Sequence, residues 1–156
     1  MTELLLMRHA KSDHPPGVPD VARPLAARGT RSAAAIGREL RRFGATPDTI
    51  LTSPAVRAHS TASLVASAAG WDSPITVVDE LYGGGVPTLF DAIGDRRGRV
   101  LVVGHEPTWS MAVETLIGGG TIQMVTAAVA CVEVDGRPGP GRGWLRWLIH
   151  PRLYDE

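Results

Sequence analysis

The sequence predicts an α/β fold: a mostly parallel mixed sheet with helices on both faces. Three observations carry this. Short apolar runs alternate with helical patterns from residue 3 to residue 117. One run, Val100-Leu101-Val102-Val103, is apolar throughout, as expected of a central strand covered on both sides. Beyond residue 127 the pattern changes to two β-rich stretches around a Gly- and Pro-rich turn, which reads as a closing hairpin.

Taken in order, residues 3–7 form the first strand, and Leu4-Leu5-Leu6-Met7 runs straight into Arg8-His9. In open α/β sheets the carboxyl end of a strand is where ligands bind. Residues 11–27 are rich in Pro and Gly and form a loop. A loop of this length inside a compact domain is usually functional. A helix follows from Gly29 to about Phe43, with Ala33, Ile36, Leu40 and Phe43 on one face. Gly44 caps it and Pro47 prevents it from resuming.

Residues 49–52 give a second strand. Ser53-Pro54 then supplies a capping side chain and a proline at the first helical position, opening a helix to about Ala69. Residues 75–78 form a third strand, 80–85 a flexible loop and 87–94 a short helix. The fourth strand, 100–103, ends in Gly104-His105-Glu106-Pro107 and leads into a helix to about Ile117. The hairpin pairs 128–134 with 144–149.

At 156 residues the chain is expected to be one domain, 1–156. A chain of this length buries roughly 70% of its unfolded surface, so it needs neither disulfide nor metal to fold. The single cysteine, Cys131, excludes an intrachain disulfide framework and fits a reducing compartment. Sixteen basic residues balance sixteen acidic ones, so no long-range pull toward nucleic acid or membrane is expected. No apolar stretch approaches the ~20 residues of a membrane span. The N-terminus also lacks the pattern of a secretion signal, and the cytoplasm is the expected location.

The chemistry converges at the strand ends. With parallel strands, Arg8-His9, Ser53-Pro54 with Arg57, Asp79-Glu80 and Gly104-His105 share one edge. This assortment suits phosphoryl transfer through histidine. Neutral imidazole attacks phosphorus and splits one hard step into two. Arginine forks hold phosphoryl oxygens bidentately. A second histidine donates to the phosphoryl group, and a carboxylic acid protonates the leaving group and then activates water.

These residues resemble a known group. Arg8-His9-Ala10 looks like the Arg-His-Gly signature of the histidine phosphatase superfamily, which includes phosphoglycerate mutases. Residues 51–58 (Leu-Thr-Ser-Pro-Ala-Val-Arg-Ala) match its second arginine segment, and Gly104-His105 its second histidine. The short length, and Asp20-Val21-Ala22-Arg23-Pro24-Leu25 followed by Gly29, resemble the SixA-type phosphohistidine phosphatases. The resemblance implies a three-layer α/β/α sandwich and a phosphoryl-His9 intermediate. It also implies phosphate binding by Arg8, Arg57 and His105, and no metal or other cofactor. Ala10 replaces the usual glycine, so the turn after His9 must not need positive φ.

The expected function is therefore a metal-independent phosphatase acting on protein phosphohistidine. The alternatives are a small-molecule phosphomonoesterase on the same scaffold and a non-catalytic phosphoprotein-binding module. Mutase activity is disfavoured, because a mutase must retain its intermediate and exclude water. Glu80 lies where a mutase-like acid would sit, although an imidazole leaving group needs less acid help than an alkoxide. Arg23 and Ser12 are candidate phosphate contacts, with plainer readings as a partner of Asp20 and a turn residue. His14, His59 and His150 are not expected to be catalytic. Cys131 and Arg137 fit a Cys-x5-Arg spacing, but Glu133 and Asp135 between them would repel an anion, so Cys131 reads as a small core residue.

Overall fold

The computed structural model describes residues 1–154. Strands β1 (Thr2–Arg8), β2 (Thr49–Thr52), β3 (Ile75–Val77), β4 (Gly98–Gly104), β5 (Val129–Val134) and β6 (Gly143–Ile149) form one sheet. Its order is β3-β2-β4-β1-β5-β6, parallel from β3 to β1 and antiparallel at β5 and β6. Four helices connect the strands: α1 (Ala27–Arg42), α2 (Val56–Ala69), α3 (Val86–Ile93) and α4 (Thr108–Ile117). The mixed sheet and the terminal hairpin match the sequence reading.

Side-chain alternation divides the core into two layers. Leu5 and Met7 of β1 and Leu101 and Val103 of β4 join Ala33, Ile36 and Leu40 of α1 and Ala62 and Val65 of α2. Leu4 and Leu6, with Val100 and Val102, point the other way onto Leu89 and Ile93 of α3 and Trp109, Val113 and Leu116 of α4. All eight of these β1 and β4 side chains are fully buried. Burying each stabilises by roughly 1.5–3 kcal/mol relative to exposure. The fully apolar runs follow from cover on both faces.

The sequence reading needs correction at several boundaries. The second helix begins at Val56, so Pro54 is not its first residue and Ser53 is not its cap; Ala55 takes that place with no side-chain hydrogen bond. Phe43 is the C-terminal cap of α1 and is 57% exposed, resting on Trp147 with ring centroids 6.0 Å apart, rather than joining the core. The stretch after β3 is partly ordered as a 3-10 turn, Asp79–Leu81. Cys131 is a buried strand residue whose thiol is pushed up to about 12, chiefly by desolvation, and Arg137 lies elsewhere, beside Asp91 and Asp95.

The loop after β1 is closed at its base. The Ala26 N–H donates to the Lys11 carbonyl at 2.9 Å, and the Asp13 N–H to the Pro24 carbonyl at 2.9 Å. Ser12 and Leu25 form an antiparallel bridge between them. Gly29, in the first turn of α1, packs so closely here that a Cβ would lie 2.0 Å from the Lys11 carbonyl oxygen. This contact explains the glycine.

Candidate active site

Sheet register brings the two histidines together. Arg8 pairs with Gly104 at the ends of adjacent parallel strands β1 and β4, and the next residue on each is a histidine. The His9 N–H donates to the Gly104 carbonyl at 2.9 Å, which pins the turn. The imidazole centroids stand 5.2 Å apart with planes tilted by 55°. Both line a cavity of about 290 Å³ together with Arg8, Ser12, Arg23, Arg57 and others, among them Lys11, His14, Glu106 and Thr126. Arg57 enters from the first turn of α2, which starts beyond the end of β2.

His9 is held as a neutral imidazole with one ring nitrogen free. Its Nδ1 lies 2.8 Å from the Ala10 carbonyl oxygen, an acceptor only. Nδ1 must therefore carry the proton, which leaves the lone pair on Nε2. Burial pushes its pKa down to about 3, against a rise from the Ala10 bond and with further lowering from His105, Arg57 and Arg8. The φ of Ala10 is not positive, as its replacement of glycine requires.

His105 is held by Ser53. The Ala55 N–H donates to Ser53 Oγ at 3.2 Å, and Ser53 Oγ lies 2.8 Å from His105 Nε2. In the tautomer with the proton on Nδ1, the Ser53 hydroxyl donates to Nε2. Nδ1 is a buried atom with no hydrogen-bond partner among the described residues. Burial first, and Arg57 second, hold its pKa down to about 4. Arg8 is anchored by Nη1 donating to the Met124 carbonyl at 3.0 Å, while its buried Nε has no partner among the described residues. Acceptor oxygens of a phosphoryl group match these unmet donors.

Asp20 organises the remaining cations. Arg57 Nη2 donates to Asp20 Oδ2 at 3.0 Å and Nη1 to the Asp20 carbonyl at 2.7 Å. Arg23 Nη1 donates to Asp20 Oδ1 at 2.9 Å, and the Tyr82 hydroxyl to Oδ2 at 2.6 Å. These bonds, Tyr82 first and Arg23 next, hold the Asp20 carboxyl well below the usual carboxylate range. Arg23 also donates from Nη2 to Ser12 Oγ at 2.6 Å and meets His14 Nε2 at 2.9 Å. Arg23 thus both pairs with Asp20 and lines the cavity.

Glu80 stands apart. It is exposed on the 3-10 turn and is not among the cavity-lining residues; the carboxylate that lines the cavity is Glu106. Glu106 accepts from the Ser110 N–H at 2.8 Å and from its hydroxyl. His59 is exposed on α2, and His150 accepts from the Arg152 N–H at the last turn. Among the described residues, no three or more His, Cys, Asp or Glu side chains are grouped to hold a metal ion.

The chain is similar to known proteins. The sequence pattern of the histidine phosphatase superfamily (branch 1) matches residues 4–82, the span holding Arg8, His9 and Arg57. The chain belongs to the histidine phosphatase superfamily. It is 41% identical over 147 residues to the uncharacterized protein Rv1276c of Mycobacterium tuberculosis, covering 92% of this chain and 89% of that one. Its structure is similar to that of a SixA protein from Agrobacterium tumefaciens, with TM-score 0.83, 27% identity and 96% and 98% of the two chains covered. It is also similar to the protein histidine phosphatase SixA complexed with tungstate, with TM-score 0.85, 25% identity and 97% and 98% covered. An α-ribazole-5'-P phosphatase of Escherichia coli shares the fold, with TM-score 0.75, 20% identity and 97% and 98% covered. The three-layer α/β/α sandwich is that of these histidine phosphatases, and the chain is a phosphatase of this type.

Two features of this histidine phosphatase escape sequence reasoning. The first is the Asp20 hub, whose partner Tyr82 is 62 positions away. The second is Thr61, one turn beyond Arg57. Its Oγ1 accepts from the Ala10 N–H at 3.0 Å and donates to the Arg57 carbonyl at 2.6 Å, tying the nucleophile's turn to the arginine's helix. Thr61→Val keeps the shape but leaves the buried Ala10 N–H unpaired. It is expected to cost about 1–3 kcal/mol of stability, read from denaturant midpoints at unchanged m-value.

The depressed histidines are expected to make this phosphatase less stable in acid. Unfolding returns both imidazoles to their ordinary pKa of 6.5, where they take up protons that the fold excludes. Their contribution to stability is complete above pH 6.5 and is lost as pH falls toward 4 for His105 and 3 for His9. Melting temperatures between pH 7 and pH 4 are expected to fall more steeply for the wild type than for His9→Gln.

Proposed function

We propose that this histidine phosphatase removes phosphoryl groups from protein-borne phosphohistidine through a covalent phospho-His9. The observation that carries the reading is the bare Nε2 lone pair of neutral His9, in a cavity lined by three arginines and a second imidazole. In the first step Nε2 forms a bond to phosphorus as the phosphorus–nitrogen bond to the substrate imidazole breaks. The departing nitrogen takes a proton from solvent. Arg8, Arg57 and His105 Nδ1–H balance the charge on the equatorial oxygens. In the second step water adds to phosphorus, the bond to Nε2 breaks, and phosphate leaves with His9 restored.

The substrate class has two supports. The similar SixA structures are named for protein histidine phosphatase activity. The segment between β3 and β4 is also short, and its 3-10 turn and α3 are built into the core through Leu81, Leu89, Phe90 and Ile93. That leaves little chain to close over a small metabolite. The test compares a histidine-phosphorylated protein with a panel of sugar phosphates and nucleotides. A kcat/KM at least a hundredfold higher on the phosphohistidine protein is expected. Equal or better turnover of a small ester would overturn the substrate class, and binding without turnover of anything would overturn the enzyme.

A further inference from the structure

A second cavity, of about 530 Å³, opens beside the phosphoryl pocket. Its walls include Arg8, Lys11, Arg28, Thr126, His150 and Arg152. Arg8, Lys11 and Thr126 line both cavities, so the two adjoin. Beside Arg8 at the end of β1, its cations come from three further elements: the loop after β1, the first turn of α1 and the 3-10 turn that follows β6. No carboxylate belongs to its described lining.

This charge is local, and among the described residues of the lining nothing compensates it. The chain as a whole is neutral. Elsewhere on the surface some arginines are paired, Arg42 with Glu39, Arg99 with Glu3 and Arg137 with Asp91 and Asp95, while Arg31, Arg38, Arg41, Arg97 and Arg142 stand singly among the described residues. Lys11, Arg28 and Arg152 are exposed, and their side chains form no hydrogen bond or ion pair with described residues. Gathering like charges without counter-charge is unfavourable unless an anion visits.

We propose that this cleft seats an acidic segment of the phosphorylated protein next to its phosphohistidine. The proposal rests on the protein-substrate reading above. A fixed second phosphate would call for buried, held guanidinium groups like Arg57, which is 7% exposed and anchored by Asp20. Exposed cations on long flexible stems, spread over three elements, instead suit several carboxylates spaced along a chain. Their contribution acts on encounter and KM, and it weakens with salt.

The test has a binding arm and a kinetic arm, both on the full chain. Fluorescently labelled octaglutamate is expected to bind the wild type, and Arg28→Glu/Arg152→Glu to weaken binding at least tenfold. Arg28→Lys/Arg152→Lys is expected to retain it. On an acidic histidine-phosphorylated protein, the charge-reversed variant is expected to raise KM at least tenfold with kcat within twofold. Hydrolysis of phosphoramidate, which cannot reach the cleft, should be unchanged and shows that the variant is folded. Absent or unaltered octaglutamate binding overturns the proposal, as does equal loss on phosphoramidate. A KM effect seen only with a small bisphosphate also overturns it, marking a second-phosphate subsite. Failure of the wild type on any phosphohistidine protein would fell the substrate class alone, and octaglutamate binding then decides the cleft.

Discussion

His9→Ala is expected to abolish acid-labile phosphoenzyme and to lower turnover on the order of 10⁴-fold or more, as loss of a covalent nucleophile does. The fold should survive. The His9 backbone N–H still reaches the Gly104 carbonyl, Ala10 remains buried, and Arg8, Arg57 and His105 keep their own anchors. The variant should therefore still bind tungstate or phosphate. Brief mixing with ³²P-labelled substrate, followed by acid and base quenches, separates a phosphohistidine from an ester. Label retained by His9→Ala, or equal phosphate release by both proteins, would remove His9 from the reaction.

Arg57→Ala is expected to cost about 10²–10³ in kcat, comparable with deleting one preorganised donor to a transition-state oxyanion. Two effects combine. The variant loses a buried guanidinium fork, and it frees the Asp20 carboxylate to repel the phosphoryl oxygens. Lysine at position 57 should restore little, because a point charge cannot reproduce the fork. Arg57→Ala/Asp20→Ala should be less impaired than the sum of the single changes, since part of the first loss is a carboxylate left with Arg23 and Tyr82 but without Arg57. Strict additivity measured in that cycle would show that Asp20 does not act on Arg57.

Much of this site was legible in the sequence because strand ends are positions that hydrophobic pattern alone locates. Leu4 to Met7 and Val100 to Val103 announce buried strands, and the residues after them must meet at one edge if the strands are parallel. Local rules failed where a long-range partner took the side chain. Ser53 followed by proline obeys the helix-start pattern, yet its hydroxyl holds His105, which lies 52 positions on. Asp20 reads as the counter-charge of Arg23, three residues away, and nothing local shows that Arg57 and Tyr82 also converge on it. Phe43 continues the apolar period of α1, but the helix ends at Arg42 and leaves the ring against Trp147. Glu80 and Glu106 both follow strand ends; only geometry shows that the second faces the cavity.

The tie at the foot of the loop after β1 has a consequence for how the protein can vary. Paired backbone at Lys11–Asp13 and Pro24–Ala26 makes the chain between them a tethered Ω-loop. Ser12 sits in that foot and Arg23 at its border, whereas Pro15 to Val18 form the crown. Lengthening the crown costs only about 0.6 kcal/mol for each doubling of the loop. New sequence can therefore be grafted there to meet different partners while the phosphoryl-handling groups stay in register.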